Sequence, residues 1–513
     1  MISNTFVNDA VQGHWLLTLL GLATVSAIGV VVYRLTLHPL ARVPGPVLAA
    51  ATGAYEAYFQ LFKDGGGRYW VEVDRLHSIY GPIVRISPWE VHIKDSEWND
   101  VFKLSARPNK PWWYYRSFGS AQSTNTTEQD HIHRMHRGPL QSWFSAQNVM
   151  QNLPEVHGSI EKLHDRVAAS VGQVINLSDA YRCLALDVVT AFAFRRPFGG
   201  LDHPEFNKDF NLAIKNYSRL GLINRYSFGI PFWLLQSLPL SIAARVSPKD
   251  LRVFMAIIKQ YTEQSFGKPM LPEQDPQDVV QTMLAADLPE EQKSFQRVFG
   301  DCRSIVLAAN ETTATVLSSI TYYTLSHPEI HDRLRNELKR GYEAKGSSLE
   351  YQELRALPYL TALINEALRT SNSVSGRLVR YADSVDLQYG KYSLPRGSYV
   401  SISMNDMHKD PKIFPNPEKF DPDRWLKQSD FKHLSKHLQP WGRGSRFCLG
   451  KELAYTDLYL TTARLFGPEC GFSFKLFETK QSDWDIFGDY FAPMPARGSR
   501  SLRVVVEPPR SLQ

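Results

Sequence analysis

A ten-residue stretch near the C-terminus, from Trp441 to Gly450, contains one cysteine, Cys448, together with glycines and arginines, and a helical pattern follows it. Thiolate is the form of cysteine that binds metals, and nearby arginines and the N-terminus of a helix both favour it. Gly444 and Gly450 allow close approaches that a side chain would prevent. A buried structural cysteine is the common alternative, because cysteine is among the most buried residue types. The spacing favours a thiolate presented to a metal.

This loop resembles the haem-binding signature of cytochrome P450 enzymes, Phe-x-x-Gly-x-Arg-x-Cys-x-Gly. Gly444, Arg446, Cys448 and Gly450 occupy the matching positions, and Trp441 stands where the family usually has Phe. The resemblance implies that Cys448 binds the iron of haem b and that Arg446 contacts a haem propionate. Because a single thiolate ligand on haem iron favours cleavage of the O–O bond, it also implies oxygen activation and not oxygen storage.

An acid and two threonines interrupt a long apolar helical pattern within residues 308–313. Buried polar groups cost free energy unless they are bonded or used, and a threonine can also bond back to the preceding turn of its own helix. The segment is similar to the family motif that lies over the haem. This implies that Glu311 and Thr312 are catalytic and deliver protons during oxygen activation. Ala309 replaces the usual glycine, which leaves the local kink and the pocket size open.

Basic residues elsewhere in the chain are candidates for contact with the haem propionates. The family's Trp-x-x-x-Arg helix has a match in which His133 takes the Trp position and Arg137 the Arg position, so both are expected to donate to a propionate. Arg377 and Arg380 are two further candidates, and we favour Arg380. The histidines within 131–136 could instead bind zinc, but no cysteine or carboxylate completes a tetrahedral set at the usual spacing.

A pair of opposite charges, Glu366 and Arg369, lies three residues apart on one predicted helix face, where side chains meet. An isolated pair of this kind is usually a surface ion pair that contributes under about 1 kcal/mol. Here Arg424 follows, and then the Cys448 loop, in the order that the family shows. The resemblance implies a buried bidentate network in which Glu366, Arg369 and Arg424 hold the cysteine loop.

Helical periodicity dominates the chain and predicts a mainly α protein. The resemblance implies the cytochrome P450 fold, a helical haem-thiolate domain with small β-sheets. The periodicity predicts helices over 130–148, 155–170, 178–195, 250–266, 293–326, 328–341 and 360–370. Alternating runs predict strands near 83–93, 384–400 and 502–506.

The composition is that of a globular protein, with 43% hydrophobic and 21% charged residues among 513. Because no linker or repeat divides the chain, we predict one catalytic domain over 51–513, which we expect to be monomeric. Four scattered cysteines without a C-x-x-C pair favour a reducing compartment. A net charge of +6 without a basic stripe argues against a nucleic-acid partner.

An uncharged run from Trp15 to Tyr33 is about long enough to cross a bilayer as one helix. We predict a lumenal segment over 1–14, a single transmembrane anchor over 15–33 and a Pro-rich hinge over 34–50. Basic residues after the run leave the catalytic domain in the cytosol, and the resemblance implies the endoplasmic reticulum membrane. A signal peptide is the alternative, but the preceding residues lack Lys and Arg.

Three surface features suggest contacts with other molecules. The aromatic run over 112–118 matches the family's substrate-contacting loop, although such a run is also typical of a core. A second apolar patch over 230–235 could dip into the membrane. Basic residues around the cysteine loop could face an acidic flavoprotein; they are Lys432, Lys436, Arg443, Arg446 and Lys451.

The resemblance implies a monooxygenase that receives electrons from NADPH through cytochrome P450 reductase, with cytochrome b5 as a further candidate donor. It would hydroxylate or epoxidise a lipophilic small molecule. The linker over 38–46 and the tail over 489–495 look like fungal secondary-metabolite members such as trichodiene oxygenase, which suggests a terpenoid or polyketide substrate. Two alternatives stay open: a reductase-independent isomerase or dehydratase, against which Glu311 and Thr312 argue, and a non-catalytic haem-binding protein.

Overall fold

Helices form most of the structure. The computed structural model describes residues 3–115, 119, 122–227, 230, 234, 249–268 and 275–509. The helices of this part are α1 (Ser3–Thr36), α2 (Val47–Ala51), α3 (Ala54–Leu61), α4 (Tyr69–Tyr80), α5 (Trp112–Tyr115), α6 (Asp130–Trp143), α7 (Ala146–Gln151), α8 (Leu153–Ala168), α9 (Leu177–Phe194), α10 (Lys208–Tyr226), α11 (Lys249–Phe266), α12 (Val279–Ala285), α13 (Phe295–Ser326), α14 (Pro328–Lys345), α15 (Tyr351–Ala356), α16 (Pro358–Thr370), α17 (Met404–His408), α18 (Gln428–His437) and α19 (Lys451–Phe466).

The strands are short and form small sheets, as the alternating runs predicted. They are β1 (Ile83–Arg85), β2 (Glu90–Ile93), β3 (Val174–Asn176), β4 (Leu378–Arg380), β5 (Leu387–Tyr389), β6 (Tyr392–Leu394), β7 (Tyr399–Ile402), β8 (Ser473–Leu476), β9 (Gly488–Tyr490), β10 (Ala492–Met494) and β11 (Arg503–Glu507). One sheet has the order β1-β2-β7-β4, with β2 and β7 parallel, and another has the order β3-β11-β8. The pairs β5-β6 and β9-β10 are antiparallel hairpins.

The predicted helices are present, and one boundary prediction was wrong. The pattern over 130–148 is not one helix, because α6 ends at Trp143 and α7 begins at Ala146. Ser145 separates them, and its hydroxyl accepts a hydrogen bond from the Asn148 backbone N–H at 3.4 Å. A serine that caps a helix in this way satisfies a donor that would otherwise lack a partner, and so it favours a new start.

The core is built around two long helices, α9 and α13. All 18 residues of α9 are buried, and α13 packs along it. Polar side chains inside this contact bond to each other, as in the Ser178 to Ser318 pair at 3.1 Å and the Tyr181 to Thr321 pair at 2.6 Å. Since buried polar groups are stable when bonded, the contact tolerates polar residues at the centre of the protein.

The Glu366 carboxylate is the centre of a buried network, as the motif order predicted. It accepts two hydrogen bonds from Arg369, at 2.7 and 2.9 Å, and further bonds from the Arg424 Nε, the Trp425 Nε1 and the Asp421 backbone N–H. Glu366 is fully buried and Arg369 is 1% exposed. The arginine also donates to backbone carbonyls between His408 and Lys419, which fixes the chain that leads to the cysteine loop.

The N-terminal helix α1 projects from the domain. Among the described residues, it alone is long and apolar enough to cross a membrane, with its apolar window at Leu17–Thr36 fully exposed. The helix continues three residues past the predicted end of the anchor, and the backbone N–H groups of Leu37 and His38 then cap the Tyr33 carbonyl. Arg85, which is 1% exposed, donates to the Arg34 carbonyl and joins the helix end to the domain.

Two of the predicted surface segments lie partly outside the described residues. Within the aromatic run, Tyr114 and Tyr115 are buried core residues that donate to the Arg377 and Val379 carbonyls, whereas 116–118 lie outside the described residues. In the apolar patch only Ile230 and Leu234 are described, and both are exposed.

We expect Glu366→Gln to destabilise the protein strongly, because it leaves Arg369 as a buried cation without an acid; losing one partner of a buried pair costs about 3–5 kcal/mol. Thermal unfolding of the purified protein measures the effect. Asp423→Asn is the matched control, since Asp423 is exposed and its pair with the exposed Arg333 should contribute little. Equal unfolding temperatures for the two variants would contradict a load carried by the buried network.

Candidate functional site

The cysteine loop is held in a tight turn before α19. The Cys448 backbone N–H donates to the Trp441 carbonyl at 2.7 Å, and the Trp441 indole donates to the Tyr455 hydroxyl. Gly444 has φ +72°, and a Cβ there would lie 2.4 Å from the Phe102 carbonyl oxygen, so only glycine fits. A Cβ at Gly450 would meet nothing within 4 Å, so protein packing does not require that glycine. The open space at Gly450 suits a flat ligand.

Cys448 differs from the other cysteines in its surroundings. It is exposed, whereas Cys183, Cys302 and Cys470 are buried. The neighbouring protein raises the pKa of the Cys448 thiol, an effect that the Gly450 backbone N–H, Arg137 and Lys451 oppose. The arginine and the helix terminus therefore act in the direction that the sequence predicted, but burial outweighs them. A bound metal ion would be needed to make the thiolate the stable form.

Five basic side chains gather close to this loop. Burial and the surrounding cations lower the pKa of His133 to about 2, and the same causes lower the pKa of Lys110 well below its usual range. Burial and Arg380 lower the pKa of Arg446 to about 9. Arg137, whose guanidinium lies 4.5 Å from the Phe447 ring centroid, adds to the repulsion on His133 and Lys110. The cluster therefore carries an excess of buried positive charge.

Nothing in the described part of the chain neutralises this cluster. None of the five basic residues makes an ion pair there, and Arg446 donates only to backbone carbonyls of Pro108, Thr127 and Glu128. Polar atoms of His133, Arg137 and Arg380 are buried and lack hydrogen-bond partners; they are Nδ1, Nη2 and Nε, respectively. Buried polar groups in native proteins normally have partners, so the cluster is built for an anionic group.

The two arginines that the sequence left as alternatives have different partners. Arg377 donates to Glu90 at 2.6 Å and to Glu56 at 2.6 Å, and all three are buried. Its charge is therefore neutralised by protein carboxylates. Arg380 donates to the Tyr115 hydroxyl and to a carbonyl, and its charge acts on Lys110. Arg380 thus belongs to the cationic cluster and Arg377 does not.

The three histidines of α6 do not converge on one point. His131 is exposed, and the His136 ring bonds to Gln292 Oε1 at 2.7 Å. Within the described ranges, the one grouping of three possible metal-ligand side chains is Glu161, His164 and Asp165, which lies elsewhere. The zinc alternative therefore has no geometric support.

Helix α13 carries the other predicted site residues, and it packs against α19, the helix that begins after the cysteine loop. Ala308 is exposed although it lies between buried residues of a central helix, so this face borders open space inside the fold. Thr312 Oγ1 donates to the Ala308 carbonyl at 2.8 Å. The helix is continuous through Ala309, so the alanine is accommodated without a break in the helix.

Glu311 is held by a partner that the sequence analysis missed. Arg182 donates to both carboxylate oxygens at 2.7 Å and also to Asp179 at 3.0 Å. Burial opposes ionisation of Glu311, but the arginine outweighs it and lowers the pKa of that carboxyl. A lone arginine inside the apolar pattern of α9 was the available signal. Lys110, also missed, had no signal, because its role depends on residues distant in sequence.

Comparison with known proteins came next. The cytochrome P450 family profile matches residues 59–483. The chain is 32% identical to cytochrome P450 monooxygenase MO6277 of Ascocoryne sarcoides (93% of this chain, 96% of the relative) and to tryptophan 6-hydroxylase fscE of Fusarium equiseti (94% and 95%). It is also 32% identical to stellatic acid synthase of Emericella variicolor (95% and 94%). Among solved structures, retinoic acid-bound cyanobacterial CYP120A1 superposes with a TM-score of 0.67 at 21% identity, over 91% of this chain and 99% of that one.

We expect Glu311→Gln to lower the unfolding temperature at pH 7 and to lower it progressively less below about pH 4.5, the usual value for this carboxyl. The folded-state pKa of Glu311 lies below the unfolded one. Its stabilisation is therefore complete above the unfolded pKa and is lost as the pH falls through the folded pKa. Glu161→Gln, which removes a half-exposed pair with Arg464, is the control with a small effect. A deficit that stays constant from neutral to acid pH would argue against the charged pair.

Proposed function

The chain belongs to the cytochrome P450 family and is a monooxygenase, and we propose that it hydroxylates or epoxidises a lipophilic small molecule with O2 and electrons from NADPH. The single observation that carries this proposal is one exposed cysteine, Cys448, beside a buried cationic cluster that lacks an acid. The family implies a haem with a cysteine thiolate ligand, and that haem supplies the oxygen chemistry when bound.

The residues present fit a haem. Cys448 would be the iron ligand, and the open space at Gly450 would admit the ring. His133, Arg137, Arg380 and Arg446 would bind the two propionates, and Lys110 adds a fifth positive charge. Because two carboxylates would neutralise charges that otherwise repel each other, cofactor binding and folding should support each other.

The side chains of α13 would manage protons on the opposite side. Thr312 Oγ1 donates to a carbonyl of its own helix, so its lone pairs can accept a hydrogen bond from water on the exposed side. We assign it the role of holding a proton at that position. Glu311 is ionised and bound to Arg182, so it would take part once that pair opens. An intact Glu311 and Thr312 favour a monooxygenase over an isomerase or dehydratase.

The substrate is proposed to be an intermediate of fungal secondary metabolism, either a terpenoid or a polyketide. Two fungal relatives are named for products or substrates of different chemistry, tryptophan 6-hydroxylase and stellatic acid synthase. Fold and family do not define the substrate. The chemical class must therefore come from residues of this chain.

The electron donor is proposed to be NADPH-cytochrome P450 reductase, with cytochrome b5 as an additional donor. Lys432 and Lys436 are exposed beside the cysteine loop, and Arg134 is exposed on α6. Arg137 does not join this surface, because it is 8% exposed and turns inward. Complementary charge would speed the encounter and set its orientation.

The protein is proposed to be a single-pass protein of the endoplasmic reticulum membrane with a cytosolic catalytic domain. Helix α1 supplies one exposed apolar segment of sufficient length. Exposed Ile230 and Leu234 would add a weaker contact with the lipid surface, which favours substrates that arrive from the bilayer.

We expect the reduced CO complex to show the far-red Soret band of thiolate ligation, and Cys448→Ser to lose it, because serine does not supply a thiolate. Absorption spectroscopy of the purified protein is the measurement. Cys302→Ser and Cys470→Ser are matched controls, since both cysteines are buried away from the loop and should keep the band. A wild-type band at the position of a histidine-ligated haem would refute the assignment.

We expect Thr312→Ala to bind haem but to form several-fold less product per NADPH consumed, with hydrogen peroxide released instead, because the proton is no longer held at the Oγ1 position. Ser326→Ala is the control, because Ser326 makes the same bond to its own helix, at 2.7 Å, near the end of α13. Unchanged coupling in Thr312→Ala would reduce Thr312 to a helix-bonded hydroxyl.

We expect deletion of residues 2–33 to release much of the protein from membranes while leaving a folded, haem-loaded domain. A spanning helix is effectively irreversible in its insertion, whereas interfacial contacts are reversible, so any remaining attachment should be weak. Carbonate and then detergent fractionation, with protease protection of an N-terminal tag, measures both points. A full-length protein that washes off in carbonate, or a tag cleaved from the cytosolic side, would overturn the anchor or its orientation.

A further inference from the structure

Two basic residues on one face of α10, Lys215 and Arg219, lie beside the proposed active site. They are four residues apart, so their side chains are neighbours on the helix surface. Both are partly buried, and the charges of Arg182, Glu311 and Arg219 act on Lys215, which places these groups close together. Across the described ranges, neither Lys215 nor Arg219 makes a hydrogen bond or an ion pair.

The two cations lie between α13 and the β9-β10 hairpin. Lys215 is near Glu311, which neighbours the proposed proton-holding Thr312. The Arg219 guanidinium lies 5.7 Å from the ring centroid of Tyr490, the last residue of β9, and α10 packs against that strand. A cavity of about 310 Å³ opens next to them, with Arg182, Glu311, Ser318 and residues of the hairpin in its walls. A ligand could therefore reach from this space to the exposed face of α13.

The acids nearby are already neutralised by other groups. Both oxygens of Glu311 are bonded to Arg182, and Asp179 is bonded to Arg182 and to Asn176. Lys215 and Arg219 are thus left with positive charge and no counterion. Like charges four residues apart destabilise a helix, and a partly buried charge without a partner costs free energy. Burial and the neighbouring arginines lower the pKa of Lys215 to about 8.

Groups that cost stability next to an active site are candidates for ligand binding. We propose that Lys215 and Arg219 bind a carboxylate of the substrate, so that the enzyme oxidises an organic acid whose apolar part extends along α13 toward Thr312. Arginine can hold a carboxylate with two parallel bonds and lysine adds a point charge, so the pair suits this group. The inference rests on the proposed function and adds a substrate class to it.

The test uses ligands that anchor themselves at the iron. A series of ω-(1-imidazolyl)alkanoic acids is compared with 1-alkylimidazoles of matched chain length, and binding is measured from the Soret shift as imidazole ligates the iron. For at least one chain length, the acid should bind about tenfold tighter than its alkyl match, the scale of one charge-assisted hydrogen bond.

The variants separate the two cations from general effects. The double variant Lys215→Gln/Arg219→Gln should lose the preference for the acid and keep its affinity for the alkylimidazole. Lys215→Arg/Arg219→Lys should retain the preference. Lys208→Gln is the matched control, because Lys208 is an exposed residue of the same helix.

Three results would overturn the inference. The first is equal affinity for acid and alkyl ligands at every chain length. The second is a double variant that keeps the preference for the acid, or that weakens both ligand types equally, since the cations would then act on the helix alone. The third is the absence of a Soret shift with any imidazole, which would refute the proposed haem function itself and is thereby distinguishable from the other two.

Discussion

The geometry of the cysteine loop depends on one buried carboxylate, that of Glu366. Its two oxygens receive donors from Arg369, Arg424, Trp425 and a backbone N–H, so its charge is fully compensated. Arg369 then donates to the His408 carbonyl, and the His408 ring accepts the Gln439 backbone N–H at 2.9 Å, two residues before Trp441. Burial and Arg369 lower the pKa of His408 to about 3, which keeps the ring neutral and able to accept. An ion pair on α16 thereby positions a loop far along the chain.

The site itself follows the opposite rule, because its charges are not compensated from within. Where the network around Glu366 pairs every charge, the cluster of Lys110, His133, Arg137, Arg380 and Arg446 has no acid bound to it in the described part of the chain. Fixed positive charge in a region of low dielectric attracts an anion strongly. The protein thus spends rigidity on the loop and leaves the electrostatic balance to its ligand.

The sequence predicted what depends on local pattern or on ordered motifs. Periodicity gave the long helices, and the order of Glu366, Arg369, Arg424 and the cysteine loop predicted the buried network. The sequence could not predict the partners that meet through the fold. Arg377 is neutralised by two acids from α3 and β2, and Glu311 by an arginine from α9. Such pairings need the relative placement of whole elements, which no local pattern contains.

The polar residues of α13 show how a helix can be stable and still reactive. Thr312 and Thr315 donate to carbonyls one turn earlier, at 2.8 and 2.7 Å, so neither hydroxyl hydrogen is left without an acceptor. A hydroxyl oxygen can also accept, and these bonds leave its lone pairs available. Thr312 can therefore receive a hydrogen bond on the exposed side while it keeps its bond to the helix. Because the carbonyl of Ala308 has room for a second donor, rotation of the hydroxyl toward a water molecule leaves the helix intact, and the glycine that this motif usually contains is not required to open it.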